Sequence, residues 1–344
     1  MASSPSANFL PPLWAPLLIA FLVSGSAAAS AGAHKPLRPE VEAFIVEMVR
    51  KHEFEREALR RVFAKVLPRP AIIRAMAAPA AAQPWHEFRD RFIDAARISG
   101  GVSFWEQHEL TLERASRVYG VPPEIIVAII GIETRYGRDT GSFRVLDALA
   151  TLAFDYPQRA EFFSGELEQY LLLAREAGVD ALNFKGSFAG AMGIPQFLPS
   201  SYRKYAVDFD GDGRRDLWNN AVDAIGSVAN YLQSFGWQAG EIIAVPAEAG
   251  DSARDTMVAT GIKPVIKIGD LKQRGIVPLA PVSDEAEAAL FSVETELGPR
   301  FWLGFQNFYV ITRYNRSINY AMAVFELARE LRARVKPDGD PVLE

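Results

Sequence analysis

Eight consecutive apolar residues, Ile125 to Ile132, stand between Glu124 and Glu133. Tyr119-Gly-Val-Pro-Pro123 precedes them, with a glycine that ends one helix and two prolines that suit the first turn of the next. The segment reads as a helix that is apolar on every face. Such a helix is stable in water only when other elements surround it. The rest of the chain must supply that wrapping. Hydrophobic residues make up 49% and charged residues 23% of the 344, a balance with enough apolar surface for a large core.

Helical spacing recurs on both sides. Val41, Phe44, Ile45 and Met48, then Leu59, Val62, Phe63 and Val66, predict two helices across 39–64. Pro68, Pro70 and the Ala/Pro stretch from Ala77 to Pro84 predict a linker or loose wrap, and Trp85 to Ile98 a further helix. Ser103 is the expected N-cap of the helix carrying Trp105, Leu110 and Leu112. More helices are expected over Phe143 to Ala153, Glu161 to Ala177 and Ala221 to Phe235. A last one, capped by Ser317, should run to Arg334. Between Glu241 and Thr312 the pattern changes. Ile242 to Val245, Val265 to Ile268 and Phe301 to Thr312 read as strands. The expected class is mainly α (α+β), with a small β-containing region late in the chain.

The first 33 residues hold no Lys, Arg, Asp or Glu. Leu10 to Val23 is apolar but interrupted by Pro11, Pro12 and Pro16, and small residues follow from Ser24 to Ala33. This predicts a secretory signal cut after Ala29 or Ala31, since the run is shorter than the ~20 residues of a spanning helix. After cleavage no integral membrane segment is expected, and the protein should be periplasmic. There are no cysteines, so the fold must rest on packing, with a metal as the one available staple. A net charge of -5 argues against a nucleic-acid partner. A monomer is the default expectation.

Glu133 closes the apolar helix. A carboxyl there is partly desolvated, desolvation raises its pKa, and a carboxylic acid still protonated near neutral pH can protonate a glycosidic oxygen. By itself the pattern also describes a glutamate paired at the surface with Arg135 or Arg138. A second motif, Gly186-Ser-Phe-Ala-Gly-Ala-Met-Gly-Ile-Pro-Gln-Phe197, is a Gly/Ala-rich loop that allows close backbone approach to a ligand. Ser187 and Gln196 supply polar groups there.

Gly131-Ile-Glu-Thr-Arg-Tyr-Gly137, the 186–197 segment, Pro199-Ser-Ser-Tyr202 and Arg313-Tyr-Asn315 together resemble the B-type lytic murein transglycosylases. The resemblance runs in order from about Phe44 to the last helix. It implies a lysozyme-like catalytic core with an N-terminal helical domain and a small β-containing domain. The corresponding division is a signal over 1–31, a helical domain over 32–100, a core over 101–238 and a β-containing domain over 239–312. A segment over 313–344 should return to the core and the helical domain. The resemblance also implies cleavage of the β-1,4 bond between N-acetylmuramic acid and N-acetylglucosamine in peptidoglycan, leaving a 1,6-anhydro end. It makes Glu133 the single acid/base, with no catalytic cofactor. Ordinary glycosidases need a second carboxylate about 5–9.5 Å away, and Asp139, Asp147 and Asp155 are close enough in sequence to be tested for that role. The matching sugar-groove residues are Ser187, Gln196, Phe197, Tyr231, Tyr314, Asn315 and Tyr320. Arg159 matches a basic position for the peptide or lactyl carboxylate. Gln158 replaces a second basic residue frequent in the family, and Phe162 a tyrosine.

Asp208, Asp210, Asp212 and Gly213 match positions 1, 3, 5 and 6 of an EF-hand loop, with the Arg214 carbonyl at position 7. Asn219 stands where the closing glutamate is expected. The resemblance implies a longer loop, 208–223, closed by Asp223 and holding a structural Ca2+. Asp216 acting through a water is the alternative, as is a turn without metal. His34, His52, His86 and His108 show no zinc spacing. Asp251 to Asp255 reads as a solvated turn. Two other functions remain on these motifs: a hydrolytic muramidase, and a catalytically silent peptidoglycan-binding protein.

Overall fold

The computed structural model describes residues 36–77, 83–250, 257 and 261–335. The expected signal and the turn at 251–255 lie outside them. The chain opens with helices α1 (Pro39–His52) and α2 (Arg56–Phe63). Val41, Phe44, Ile45 and Met48 form the buried face of α1. Glu55 caps α2 by accepting from the Glu57 and Ala58 amides. The stretch expected as a loose wrap instead contains a helix, α3 (Pro70–Ala77). Its Ile72 is fully buried, and burial outweighs the prolines, one of which is the first residue of the helix.

Two expected helix boundaries are corrected. Trp85 to Ile98 is not one helix: α4 (Trp85–Phe92) stops, and α5 (Ala95–Gln107) restarts with the Asp94 carboxylate accepting from the Arg97 amide at 2.8 Å. Ser103 therefore lies inside α5 and caps nothing. The next break is at His108, before α6 (Glu109–Tyr119). The boundary drawn at residue 100 falls within α5. Gly120, at φ 72°, ends α6, and α7 (Pro123–Thr134) begins on its proline. Every residue of α7 from Glu124 to Ile132 is buried. The wrapping comes from α5, α6, α11 (Ala221–Ser234) and the last helix, α14 (Ile318–Val335). Between α7 and α11 run β1 (Phe143–Arg144), α8 (Val145–Asp155), α9 (Ala160–Glu176), β2 (Lys185–Gly186) and α10 (Pro199–Tyr205), with β1 and β2 paired antiparallel.

The later part is a five-stranded antiparallel sheet in the order β4-β6-β7-β3-β5. The strands are β3 (Ala244–Ala249), β4 (Ile266–Lys267), β5 (Ile276–Pro278), β6 (Glu287–Thr295) and β7 (Gly298–Gly304), with α12 (Ile268–Gln273) between β4 and β5. Phe301 to Thr312 is not one strand. β7 ends at Gly304 and α13 (Gln306–Tyr314) follows, because aromatic and β-branched residues can fill a buried helix face as well as a strand. Strand alternation divides the sheet between two cores. Phe291, Val293 and Trp302 join the large core of the helices, while Leu290, Leu303 and Val245 pack with Ile268 and Leu271 in a smaller one. Residues from Val41 to Leu331 share the large core, so the N-terminal helices and the catalytic region are packed as one body.

Candidate active site

The end of α7 is held from three directions. Arg135 and Tyr136 take left-handed conformations (φ 49° and 63°), so the helix stops abruptly behind Glu133 and Thr134. For two residues carrying a Cβ this costs roughly 1–2 kcal/mol each, which surrounding contacts must offset. The Tyr136 ring fills a slot made by glycine: a Cβ on Gly131 would lie 2.5 Å from its hydroxyl oxygen. That hydroxyl donates to the Arg97 carbonyl at 2.8 Å, and the buried Arg97 side chain donates back to the Gly131 carbonyl at 3.1 Å. On the other side, Thr134 Oγ1 donates to the Ile194 carbonyl at 2.8 Å, binding the helix end to the Gly/Ala-rich loop.

Glu133 keeps part of its surface open, yet protein atoms surround it closely enough to strip water from the carboxyl. Burial pushes its pKa up to about 7, against the partial opposition of a hydrogen bond donated by the Tyr320 hydroxyl to Oε1 at 2.6 Å. No cation or second carboxylate contributes to that shift among the described residues. The surface pairing with Arg135 or Arg138 is therefore not formed. The three aspartates are occupied or exposed elsewhere. Asp147 is buried between Arg144 and Arg69, at 2.6 and 3.0 Å. Asp155 pairs with Arg38 at 2.6 Å, and Asp139 is exposed.

The loop and three aromatic residues gather at the same place. Ser187 Oγ accepts from the Ala189 and Ala191 amides at 3.2 and 3.0 Å, and so shapes the loop from within. Gln196, at φ 53°, donates its amide to the Thr140 and Gly193 carbonyls. A Cβ on Gly193 (φ 69°) would fall 2.4 Å from the Leu217 carbonyl oxygen, so this turn requires glycine. Phe197, Tyr231 and Tyr314 form a ring cluster with centroids 4.8–5.8 Å apart, and Tyr314 stacks toward Tyr320 at 6.5 Å. The Tyr231 and Tyr314 hydroxyls donate to the Arg313 and Pro195 carbonyls at 2.7 and 2.6 Å. Their rings are fixed, and their donors are already engaged. Asn315 is exposed, and its Oδ1 accepts from the Ser317 amide at the start of α14. Arg159 is exposed on a 3-10 turn with its guanidinium over Phe162 and Phe163, at 4.4 and 5.1 Å. No contact joins it to the Glu133 cluster among the described residues. Sequence reasoning missed Arg97 altogether, because nothing local marks a residue so far from the carbonyl it holds.

In the acidic loop, Asp208, Asp210 and Asp212 each offer an oxygen, all within 4.8 Å of one another. Gly211 and Gly213 turn the chain at φ 80° and 88°. Convergent hard oxygens around a sharp turn suit a divalent cation such as calcium. Asp223 stands outside the triad. Fully buried, it accepts from the Phe209 and Asp216 amides at 2.7 and 2.8 Å and so ties the two arms of the loop together.

Comparison with known proteins agrees with this geometry. The family model described as "Transglycosylase SLT domain" matches residues 36–329. The chain is 47% identical over 309 residues to membrane-bound lytic murein transglycosylase B of Escherichia coli strain K12, covering 87% of this chain and 84% of that protein. The soluble lytic transglycosylase SltB1 of Pseudomonas aeruginosa superposes with a TM-score of 0.82 at 49% identity, covering 87% of this chain and all of the other. Escherichia coli Slt35, solved in complex with calcium, superposes with a TM-score of 0.80 at 47% identity, covering 86% and 94%. A desolvated, singly partnered glutamate beside a glycine-rich loop thus occurs on the scaffold of a lysozyme-like lytic transglycosylase, and the chain belongs to the SLT-domain family of lytic transglycosylases that act on peptidoglycan.

Proposed function

We propose that Glu133 is the sole acid/base of this transglycosylase. The observation that carries the reading is a desolvated carboxyl, raised to about 7, with a tyrosine hydroxyl as its partner and, among the described residues, no carboxylate beside it. In the protonated form Glu133 donates to the glycosidic oxygen as the bond to the muramyl C1 breaks. The N-acetyl carbonyl of the same muramyl ring supports the developing positive charge at C1 from the opposite face. The ionised Glu133 then takes the proton of the C6 hydroxyl as that oxygen bonds to C1, which closes the 1,6-anhydro ring and regenerates the acid. Tyr320, which donates to Glu133, stabilises the ionised half of this cycle. Ser187, Gln196 and Tyr314 present a face to the glycan, held rigid from behind by the buried rings of Phe197 and Tyr231, with Asn315 at the exposed rim and Arg159 available to a peptide carboxylate. Because no second carboxylate attends Glu133 among the described residues, a water-activating hydrolase is the weaker reading.

Digestion of purified peptidoglycan, with products weighed by mass spectrometry, tests this. Anhydro-muramyl products from wild type and none from Glu133→Gln are expected. Reducing-end products, about 18 Da heavier by one added water, would make the enzyme a hydrolase.

The acidic loop is assigned a structural calcium, held by Asp208, Asp210, Asp212 and the Arg214 carbonyl, with Asp223 closing the loop. Calcium titration into chelator-treated protein should raise its melting temperature. Asp210→Ala should abolish that response. The protein is assigned to the periplasm as a monomer. Among the described residues no single helix is long and apolar enough to cross a membrane.

A further inference from the structure

Between the end of α9, α10 and the acidic loop lies a cavity of about 560 Å3 that the reaction above does not use, and Glu133 does not line it. One wall is aromatic. Phe184 and Trp218 stack at 4.2 Å, with Tyr202 5.6 Å from the indole, and the partly exposed Val179 continues the apolar surface. The rim carries Arg214 and Arg215, both exposed and neither in an ion pair among the described residues. Glu176 on the same rim is bonded to Arg203 at 2.6 Å and feels Arg215 only weakly, through space. An apolar, aromatic concavity of this size with two available guanidiniums suits a ligand that has a ring or aliphatic face and an anionic group. A bare anion would leave the aromatic wall unused. A neutral sugar would leave the arginines unused.

The wall is also wired to the catalytic loop. The Trp218 indole N–H donates to the Lys185 carbonyl at 3.0 Å, in the strand that leads directly into Ser187. The preceding carbonyl, of Leu217, accepts from the Ile194 amide at 2.7 Å, beside Gln196. A ligand in the cavity therefore leans on a segment that holds both ends of the substrate loop.

The geometry points to an accessory site for the peptide-bearing part of the substrate: an N-acetylated sugar with its stem against Trp218 and Phe184, and a stem carboxylate on Arg214 and Arg215. This rests on the peptidoglycan reading above. The probe is a purified disaccharide-peptide, titrated into the Glu133→Gln protein while the Trp218 indole N–H is followed by 15N NMR, its signal assigned through Trp218→Phe. A saturable shift is expected with the disaccharide-peptide and not with a peptide-free N-acetylglucosamine oligomer. Arg215→Glu should weaken it by about tenfold or more, as loss of a charge-assisted contact does, and Arg215→Lys should keep most of it. Equal melting temperatures would show that both variants are folded. No shift, an equal shift with the peptide-free oligomer, or a shift indifferent to Arg215→Glu would overturn the accessory site. Failure of the peptidoglycan reading is separate, since wild-type protein would then release no products from peptidoglycan.

Discussion

Glu133 ends α7 and Asp147 lies in the first turn of α8, and the fold treats these two shielded carboxylates in opposite ways. Asp147 is fully buried and receives guanidiniums from Arg144 and Arg69 and the amide of Leu67 at 3.1 Å. Glu133 is desolvated too, yet among the described residues it receives one hydroxyl and no cation. Paired charge makes Asp147 a staple between α8 and the segment before α3. The missing charge leaves Glu133 able to hold a proton near neutral pH. Burial alone does not bring a carboxyl toward neutrality; at Glu133 it does so because no counter-ion among the described residues offsets the desolvation.

Four measurements on three variants would break or sharpen that contrast. Glu133→Gln should lower peptidoglycan turnover about 10³-fold, the middle of the range for loss of a general acid, measured as release of anhydro-muramyl products. Retention of a tenth of wild-type activity would mean that another group delivers the proton. Asp147→Ala should instead cost about 3 kcal/mol of stability by leaving a buried pairing site open, read from urea denaturation, while Glu133 chemistry persists in the protein that remains folded.

The third measurement, again on Glu133→Gln, reads the stability cost of the unpaired acid. The pKa of Glu133 is raised by folding from 4.5 to about 7. The stabilisation this represents is complete below the ordinary carboxyl range and is lost as pH rises through about 7. Glu133→Gln never ionises, so its stability relative to wild type should climb by about 2 kcal/mol between those limits, after discounting for the exposed part of the side chain. A pH-independent difference in melting would remove the case for a desolvated acid. The smallest effect is expected from Tyr320→Phe. Loss of its hydrogen bond should push the Glu133 pKa higher still and move the alkaline limb of kcat/KM up by about one pH unit. A limb that stays in place or moves down would show that the hydroxyl does not favour the ionised form.

The sequence left Glu133 itself open to a surface pair with Arg135 or Arg138, and only the resemblance singled it out; it displayed the buried helix before Glu133 plainly, because eight apolar residues in a row permit few environments. The acidic loop was legible for the same local reason. The Asp147 staple was hidden: Arg69 is 78 residues away, and only the folded chain shows which arginine it meets. Tyr320 was placed by resemblance, while its bond to Glu133 spans 187 residues. Local pattern also misled where it served two structures. The run through Phe301 to Thr312 divides at Phe305 into strand and helix. β6, whose Glu287-Ala-Ala-Leu start carries no strand signal, is defined by its pairing with β7.

The hydroxyl that meets Glu133 lies on the last helix, α14, which packs along α7. Order of synthesis then becomes order of activation. A chain that has emerged only through α13 owns its acid but lacks the hydroxyl, and the flank of α7 that α14 covers is still wet. Water there would return the Glu133 carboxyl toward an ordinary, ionised state. The protonation of Glu133 is thus set as much by the last helix to be made as by the helix that carries it.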